Sequence, residues 1–333
     1  MLSRVADSLY WMSRNVERAE NIARIVEVNQ QLMLDVPSQQ AVDLQRNWLP
    51  VIACLGEEPE IDGRPIKPDA GSVTEFLVFE RGNPNSIVSC LCAARENART
   101  VREQISAEMW EQINRTYLWC LGKSARQSFD RNQYEFFQRL KKSLQLFQGI
   151  TETTMIHEDG WDFIQLGKYL ERADKTSRLL DDEYHLLRRD KATANDHILQ
   201  WLAVLRSCSA RQTYQKIYAT TVQPVKVAEL LILHESFPRS VKFCAMHLDE
   251  ALRRISGVPP GRFSNHAEKL SGRLVAELSF SSIDDLHNRG LHQAVDDLQV
   301  KFNAIGSAIF ATYIYQAITP AAIIPEVQQV PQE

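Results

Sequence analysis

Arg14-Asn15-Val16-Glu17-Arg18-Ala19-Glu20, with Arg24 following, returns later in the chain as Lys168-Tyr169-Leu170-Glu171-Arg172-Ala173-Asp174 with Arg178. Both landmarks share one spacing, since 171 − 17 and 178 − 24 each give 154. Other blocks fall on the same offset: Glu75 to Val78 meets Glu229 to Ile232, and Asn83-Pro84-Asn85-Ser86-Ile87 meets Phe237-Pro238-Arg239-Ser240-Val241. Cys90, Glu96 and Arg99 likewise meet Cys244, Glu250 and Arg253, while Trp48-Leu49 meets Trp201-Leu202 at 153. A spacing held across several blocks reads as tandem duplication of one unit.

Each copy carries a long helical seam. Apolar or small residues recur at 2, 5, 9, 12, 16, 19, 23 and 26, in steps of three and four, and the pattern returns as Phe163, Leu166, Leu170, Ala173, Ser177, Leu180, Tyr184 and Leu187. That spacing predicts amphipathic helices. Further helical periodicity covers 41–56, 72–81, 85–119, 127–155, 195–219, 225–234, 238–256, 264–279 and 283–318, and no stretch shows the period-two alternation of a strand. Breaks fall at Gly56 to Gly71, Gly82-Asn83-Pro84, Gly122, Gly149 and Gly257-Val258-Pro259-Pro260-Gly261. Pro84 and Pro238 suit a first helical turn, with Asn83 as the N-cap in the first copy. The expected architecture is an all-α helical bundle built from two tandem pseudo-equivalent halves. One domain, 1–320, contains repeats at about 1–154 and 155–318, and 321–333 forms a flexible tail.

Composition narrows the function classes. The 333 residues are 44% hydrophobic and 24% charged, with a net charge of −4, which leaves no basic footprint for nucleic acid or an anionic membrane. Six cysteines without CxxC pairs read as reduced core residues of a cytoplasmic protein. The N-terminus has Arg4 and Asp7 and no apolar h-region, so no secretory signal is expected. Phe302 to Pro325 is uncharged and long enough to span a bilayer, but Asn303, Gly306, Ser307, Gln316 and Pro320 interrupt it. A buried C-terminal helix is the expectation there.

The polar face of the repeated helix is the candidate site. Ser13, Glu17, Glu20, Arg24, Glu27 and Gln31 share one face, matched by Gly167, Glu171, Asp174, Arg178, Asp181 and His185. If a pseudo-twofold axis relates the copies, Glu17 approaches Glu171 and both stripes border one groove, with Arg18 and Arg172 at its edge. Two readings stand side by side: a binding groove, and a buried ion pair locking the halves together. A di-metal centre would want Glu-x-x-His on two helices. Here Glu20 and Asp174 occupy the i+3 positions and Arg24 and Arg178 follow, so neither metal nor cofactor is expected. No Walker loop, GxGxxG, GxSxG or HExxH occurs. A second concentrated stretch runs from Arg102 to Asn114 around Trp110.

The doubled Glu-Arg motif, the Phe237-Pro238-Arg239-Ser240 step, the Ser106 to Asn114 stretch and the opening Leu2 to Met12 together resemble the bacterial alpha-E family, over nearly the whole chain. That family is described as an all-helical domain of uncharacterised function, often encoded beside or fused to a circularly permuted ATP-grasp ligase and a transglutaminase-like peptidase. The resemblance implies a place in a peptide- or amide-bond-forming system with those two proteins as partners. On one reading the chain is an accessory component, binding a peptide, a carrier or the ligase through Glu17, Arg18, Glu20, Arg24, Glu171, Arg172, Asp174, Arg178, Trp110 and Arg239. On the alternative it is an enzyme acting on the ligase's activated intermediate or product, with a stripe carboxylate as general base.

Overall fold

Side-chain caps place most of the helix starts. In the computed structural model, which describes residues 1–35, 48–55, 60–61, 63–187 and 194–315, the backbone is helical almost throughout. Helix α1 spans Ser3–Asp35, α2 Leu49–Ala53, α3 Ala70–Val78, α4 Ile87–Thr100, α5 Ala107–Leu121, α6 Lys123–Arg131 and α7 Gln133–Thr154. Then follow α8 Asp159–Leu187, α9 Ala194–Ser207, α10 Arg211–Tyr218, α11 Pro224–Leu233, α12 Val241–Ser256, α13 His266–Phe280, α14 Ile283–Arg289 and α15 Leu291–Ile309, with a π-helical turn at Phe310–Ile314. The one sheet among the described residues is a two-residue ribbon, Glu60–Ile61 against Arg64–Pro65, beside Gly63 at φ 74°.

Several long periodic stretches divide where a cap intervenes. The stretch 85–119 splits because Ser106 accepts a hydrogen bond from the Met109 N–H, and 127–155 splits because Asn132 accepts from Glu135. Ser209, at φ 53°, separates α9 from α10, and Gly290, at φ 90°, separates α14 from α15. Asn83 does not cap the helix after Pro84. Ser86 takes that place, accepting from Ser89 N–H, while Asn83 accepts from the Asn85 N–H and donates to the Phe76 carbonyl, tying the loop to α3. After Pro238 the cap is likewise a serine, Ser240, accepting from the Phe243 N–H. Residues 41–47 of the expected 41–56 helix, residues beyond 315 in the apolar run, and the expected tail at 321–333 lie outside the described residues.

The repeated helices sit at the centre. Helix α1 packs along α8 and is also covered by α4, α7 and α9, while α8 is covered by α12 and α15. Outside these, α5 packs on α4 and α7, and α13 packs on α12 and α15. One contiguous core runs from Ala6 to Ile309. The α1 seam is buried from Leu9 through Met12, Val16, Ala19 and Ala23 to Val26, but Leu2 is exposed. Trp48 and Trp201, the matched tryptophans, are both buried. Among the described residues no helix is long and apolar enough to cross a membrane.

Close approach of α1 and α8 depends on small residues. At their crossing Gly167 faces Ser13, and a Cβ on Gly167 would lie 2.3 Å from the Tyr10 carbonyl oxygen.

Candidate functional site

The two central helices exchange charges across their interface. Arg172 on α8 grips Glu17 on α1 through Nε and Nη2, both at 2.8 Å. Reciprocally, Arg18 on α1 grips Glu171 on α8 through Nε at 2.7 Å and Nη2 at 2.9 Å. These are bidentate carboxylate–guanidinium pairs, the geometry that suits arginine best. Both carboxylates are fully buried.

Each carboxylate also meets a second guanidinium, supplied from a different place. For Glu171 it is Arg14, one turn earlier on α1, donating from Nε at 3.0 Å. For Glu17 it is Arg239, from the loop before α12, donating from Nη1 at 3.1 Å. Arg239 also donates to Asn21 at 2.7 Å and to Glu20 at 3.0 Å. Gln148 on α7 inserts its carboxamide among them, donating to Glu17 at 2.9 Å and Glu20 at 3.1 Å and accepting from Arg172 at 3.2 Å. Arg24 closes on Glu20 at 2.6 Å, and Arg178 closes on Asp174 at 3.0 Å.

Burial by itself would raise the Glu17 pKa, but Arg172 and then Arg239 outweigh it and pull the carboxyl down to about 2. Glu171 behaves the same way: burial opposes ionisation, and Arg18 and Arg14 hold it well below the ordinary carboxylate range. The pairs therefore stay charged at any physiological pH. They form a buried polar layer between the two central helices, in which every charge needs its partner.

Lys168 lies three residues before Glu171, as Arg14 lies three before Glu17, and it reaches neither glutamate. Its ammonium lies 4.5 Å from the Tyr169 ring centre. Burial, then the nearby Arg172, lowers its pKa to about 8. A lysine depressed in this way binds fewer protons folded than unfolded, so its destabilising effect is complete below about pH 8 and fades as the pH approaches 10.5. Lys168→Met is accordingly expected to raise the urea midpoint at neutral pH, with the gain shrinking through that window. A gain that stays constant up to pH 10.5 would show the effect is packing alone.

The fold brings nine of the ten site candidates together. Glu17, Glu20, Arg24, Glu171, Arg172, Asp174 and Arg239 are buried, whereas Arg18 and Arg178 reach the edge, with the Arg178 side chain 27% exposed. Trp110 stands apart on α5, with the guanidinium of Arg102 at 4.8 Å and that of Arg95 at 5.5 Å over its ring. Of the wider stripe, Asp181 pairs with His292, Glu27 with Lys141, and the His185 side chain lies outside the described residues. Sequence reasoning did not select Arg14, Asn21 or Gln148. Arg14 and Lys168 fall three residues before the matched glutamates, and Gln145 and Gln148 share a helix face; those spacings were the available signals.

Solvent reaches this layer at one edge. Where α1 and α8 meet α15, a cleft of about 490 Å3 opens between Tyr10, Trp11, Arg14, Leu170, Asp174 and Phe302. A depression of about 570 Å3 on the outer face of α7 is lined by that helix alone, from Tyr134 to Leu146. Among the described residues no group of three or more His, Cys, Asp or Glu side chains is placed to hold a metal ion.

A family described as a predicted alpha-helical domain with a conserved ER motif matches residues 1–314. Uncharacterised proteins of Mycobacterium bovis and Mycobacterium tuberculosis are each 25% identical over 301 residues, covering 85% of this chain. The match covers 33% of each relative, so the chain spans about a third of the length of the curated relatives it matches. No solved structure matches it.

Proposed function

From the premise that the chain belongs to the Alpha-E family, we propose that it is a non-catalytic component of an ATP-grasp-type peptide- or amide-bond-forming system, binding a peptide, a carrier or the ligase itself along the open edge of the α1–α8 pair. The ligation setting rests on the family resemblance, and the binding role rests on the geometry. The carrying observation is the saturation of the buried glutamates. A general base needs a reachable lone pair and a pKa near the working pH. Glu17 has neither, with two arginines and Gln148 on its oxygens and a pKa of about 2. Glu17 is thereby unsuited to the role of that base, which supports the binding reading, and the accessible part of the layer is a cleft suited to binding.

The internal order of the bundle supports two tandem halves. The sequence α3, α4, α5, α6, α7 around α1 parallels α11, α12, α13, α14, α15 around α8, and the reciprocal Arg18–Glu171 and Arg172–Glu17 pairs relate the two. A cytoplasmic setting accords with six cysteines standing as thiols. That the chain spans a third of its relatives fits a unit that works beside another. The test is affinity capture: the full chain, immobilised, is expected to retain a circularly permuted ATP-grasp ligase or transglutaminase-like peptidase encoded next to it. Failure to retain either, with and without ATP, would overturn the proposal.

A further inference from the structure

The open cleft has a closed counterpart in the same chain. Moving Tyr10, Trp11 and Arg14 forward by 154 positions gives Ile164, Gln165 and Lys168; moving Leu170 back by 154 gives Val16. Moving Phe302, Asn303 and Gly306 back by 155 gives Phe147, Gln148 and Thr151. All seven of these counterparts line a second cavity, and its volume is about 10 Å3 rather than about 490 Å3.

The side chains that fill the closed cavity have different counterparts at the open one. In the closed cavity the Gln148 carboxamide bridges Glu17, Glu20 and Arg172, and Thr151 supplies a buried side chain beside it. At the open site Asn303 is one methylene shorter, is exposed, and its side chain makes no hydrogen bond among the described residues; Gly306 has no side chain to offer. The space that protein atoms fill in one copy is left accessible in the other.

The lining also differs in charge. Glu152, an exposed residue whose charge acts on Lys168 from outside the closed cavity, has Ser307 as its counterpart on the open one, since 307 − 155 is 152. Arg14 replaces Lys168 and lies against Trp11, its guanidinium carbon 4.9 Å from the ring centre. Glu171 meets both Arg18 and Arg14, so this end of the cleft carries one more positive charge than Glu171 balances, while the Asp174 carboxylate on the same lining is paired with Arg178 and Lys175. An arginine has five N–H donors. Arg14 directs Nε and Nη2 to Glu171 and Nη1 to the Tyr10 hydroxyl, leaving one hydrogen on each terminal nitrogen, and its side chain is 18% exposed. N–H groups of a guanidinium are donors that a carboxylate accepts. Leu170, Phe302 and Phe310 make the adjoining wall apolar.

We propose that this cleft binds a carboxylate carried on an apolar body, the C-terminal residue of a peptide being the form that fits. The carboxylate caps Arg14, the apolar side chain lies against Leu170, Phe302 and Phe310, and Asn303 and Ser307 offer hydrogen bonds to the peptide amide. The inference rests on the reading of this edge as the binding face and supplies its ligand class.

Calorimetric titration of the full chain tests it, using a short peptide that ends in leucine, the same peptide amidated at its C-terminus, and inorganic phosphate. The free acid is expected to bind at least about tenfold more tightly than the amide, and phosphate alone to bind more weakly still. Ser307→Glu, at an exposed position, places at the cleft the carboxylate that its counterpart Glu152 carries and is expected to weaken the acid peptide about tenfold without moving the melting temperature. Equal binding of acid and amide, equal binding of phosphate, or an unaffected Ser307→Glu variant would each overturn the inference. If wild type and Ser307→Glu both retain the ligase while neither binds the peptide, this inference fails and the accessory role stands. Peptide binding without retention of either partner would instead support the carboxylate cleft and overturn the accessory role.

Discussion

Glu17→Ala is expected to cost about 3–5 kcal/mol of folding stability, measured by urea denaturation at pH 7, because it leaves buried guanidinium groups without their counter-charge. Arg172 loses both of its bidentate bonds, and Arg239 keeps Glu20 and Asn21 but loses its bond to Glu17. Burial opposes the charge on Arg172, and Glu17 is the largest influence restoring it. The double variant Glu17→Met with Arg172→Met removes both charges and fills the space, so it is expected to recover much of the loss. The acid side provides an independent reading. A carboxylate whose folded pKa is depressed from 4.5 to about 2 contributes stability that is complete above the unfolded value and disappears as the pH falls through that interval. The gap between wild type and Glu17→Ala should therefore narrow between pH 4.5 and about 2. A loss below about 1 kcal/mol at pH 7 would mean the pair behaves like a surface bridge and locks nothing.

Gly167→Ala is the second large effect, and it acts through shape. The new methyl carbon would sit 2.3 Å from the Tyr10 carbonyl oxygen and 3.2 Å from the Ser13 Cβ. Backbone cannot rotate aside as a side chain does, so the α1–α8 crossing has to open and the paired charges on both helices move with it. Overpacking of this kind costs about 1–3 kcal/mol, occasionally more, and the upper end is expected here. Gly149→Ala is the control. It lies within α7, nothing stands within 4 Å of an added Cβ, and alanine favours the helix by about 0.5–1 kcal/mol. Thermal unfolding should place the two variants on opposite sides of wild type. A neutral Gly167→Ala would show that the crossing tolerates separation and that its close approach is incidental.

Much of the bundle was legible in the sequence because helices are local objects. The seam from Leu9 to Val26, the seam from Phe163 to Leu180, and the breaks at glycine and proline all follow from period and propensity. The errors were local as well. Ser106 and Asn132 start new helices, and Ser209 ends one, where the periodic pattern runs on unbroken, since a single cap or a left-handed residue outweighs periodicity at that point. The ribbon at Glu60 to Pro65 was missed because two-residue strands carry no alternation to detect.

By itself the sequence determined that Glu17, Glu20 and Arg24 share a helix face, that Glu171, Asp174 and Arg178 share another, and that a common offset of 154 relates them. What covers those faces was settled only by tertiary packing. A helical period states which side chains point the same way, whereas α4, α7, α8 and α9 together enclose α1 and turn a stripe that reads as amphipathic into a buried layer. The second guanidinium on each glutamate comes from one turn away in one case and from a distant loop in the other. The contrast between a filled cavity and an open cleft, lined by Gln148 and Thr151 in one and by Asn303 and Gly306 in the other, acquires meaning only once three helices meet around each.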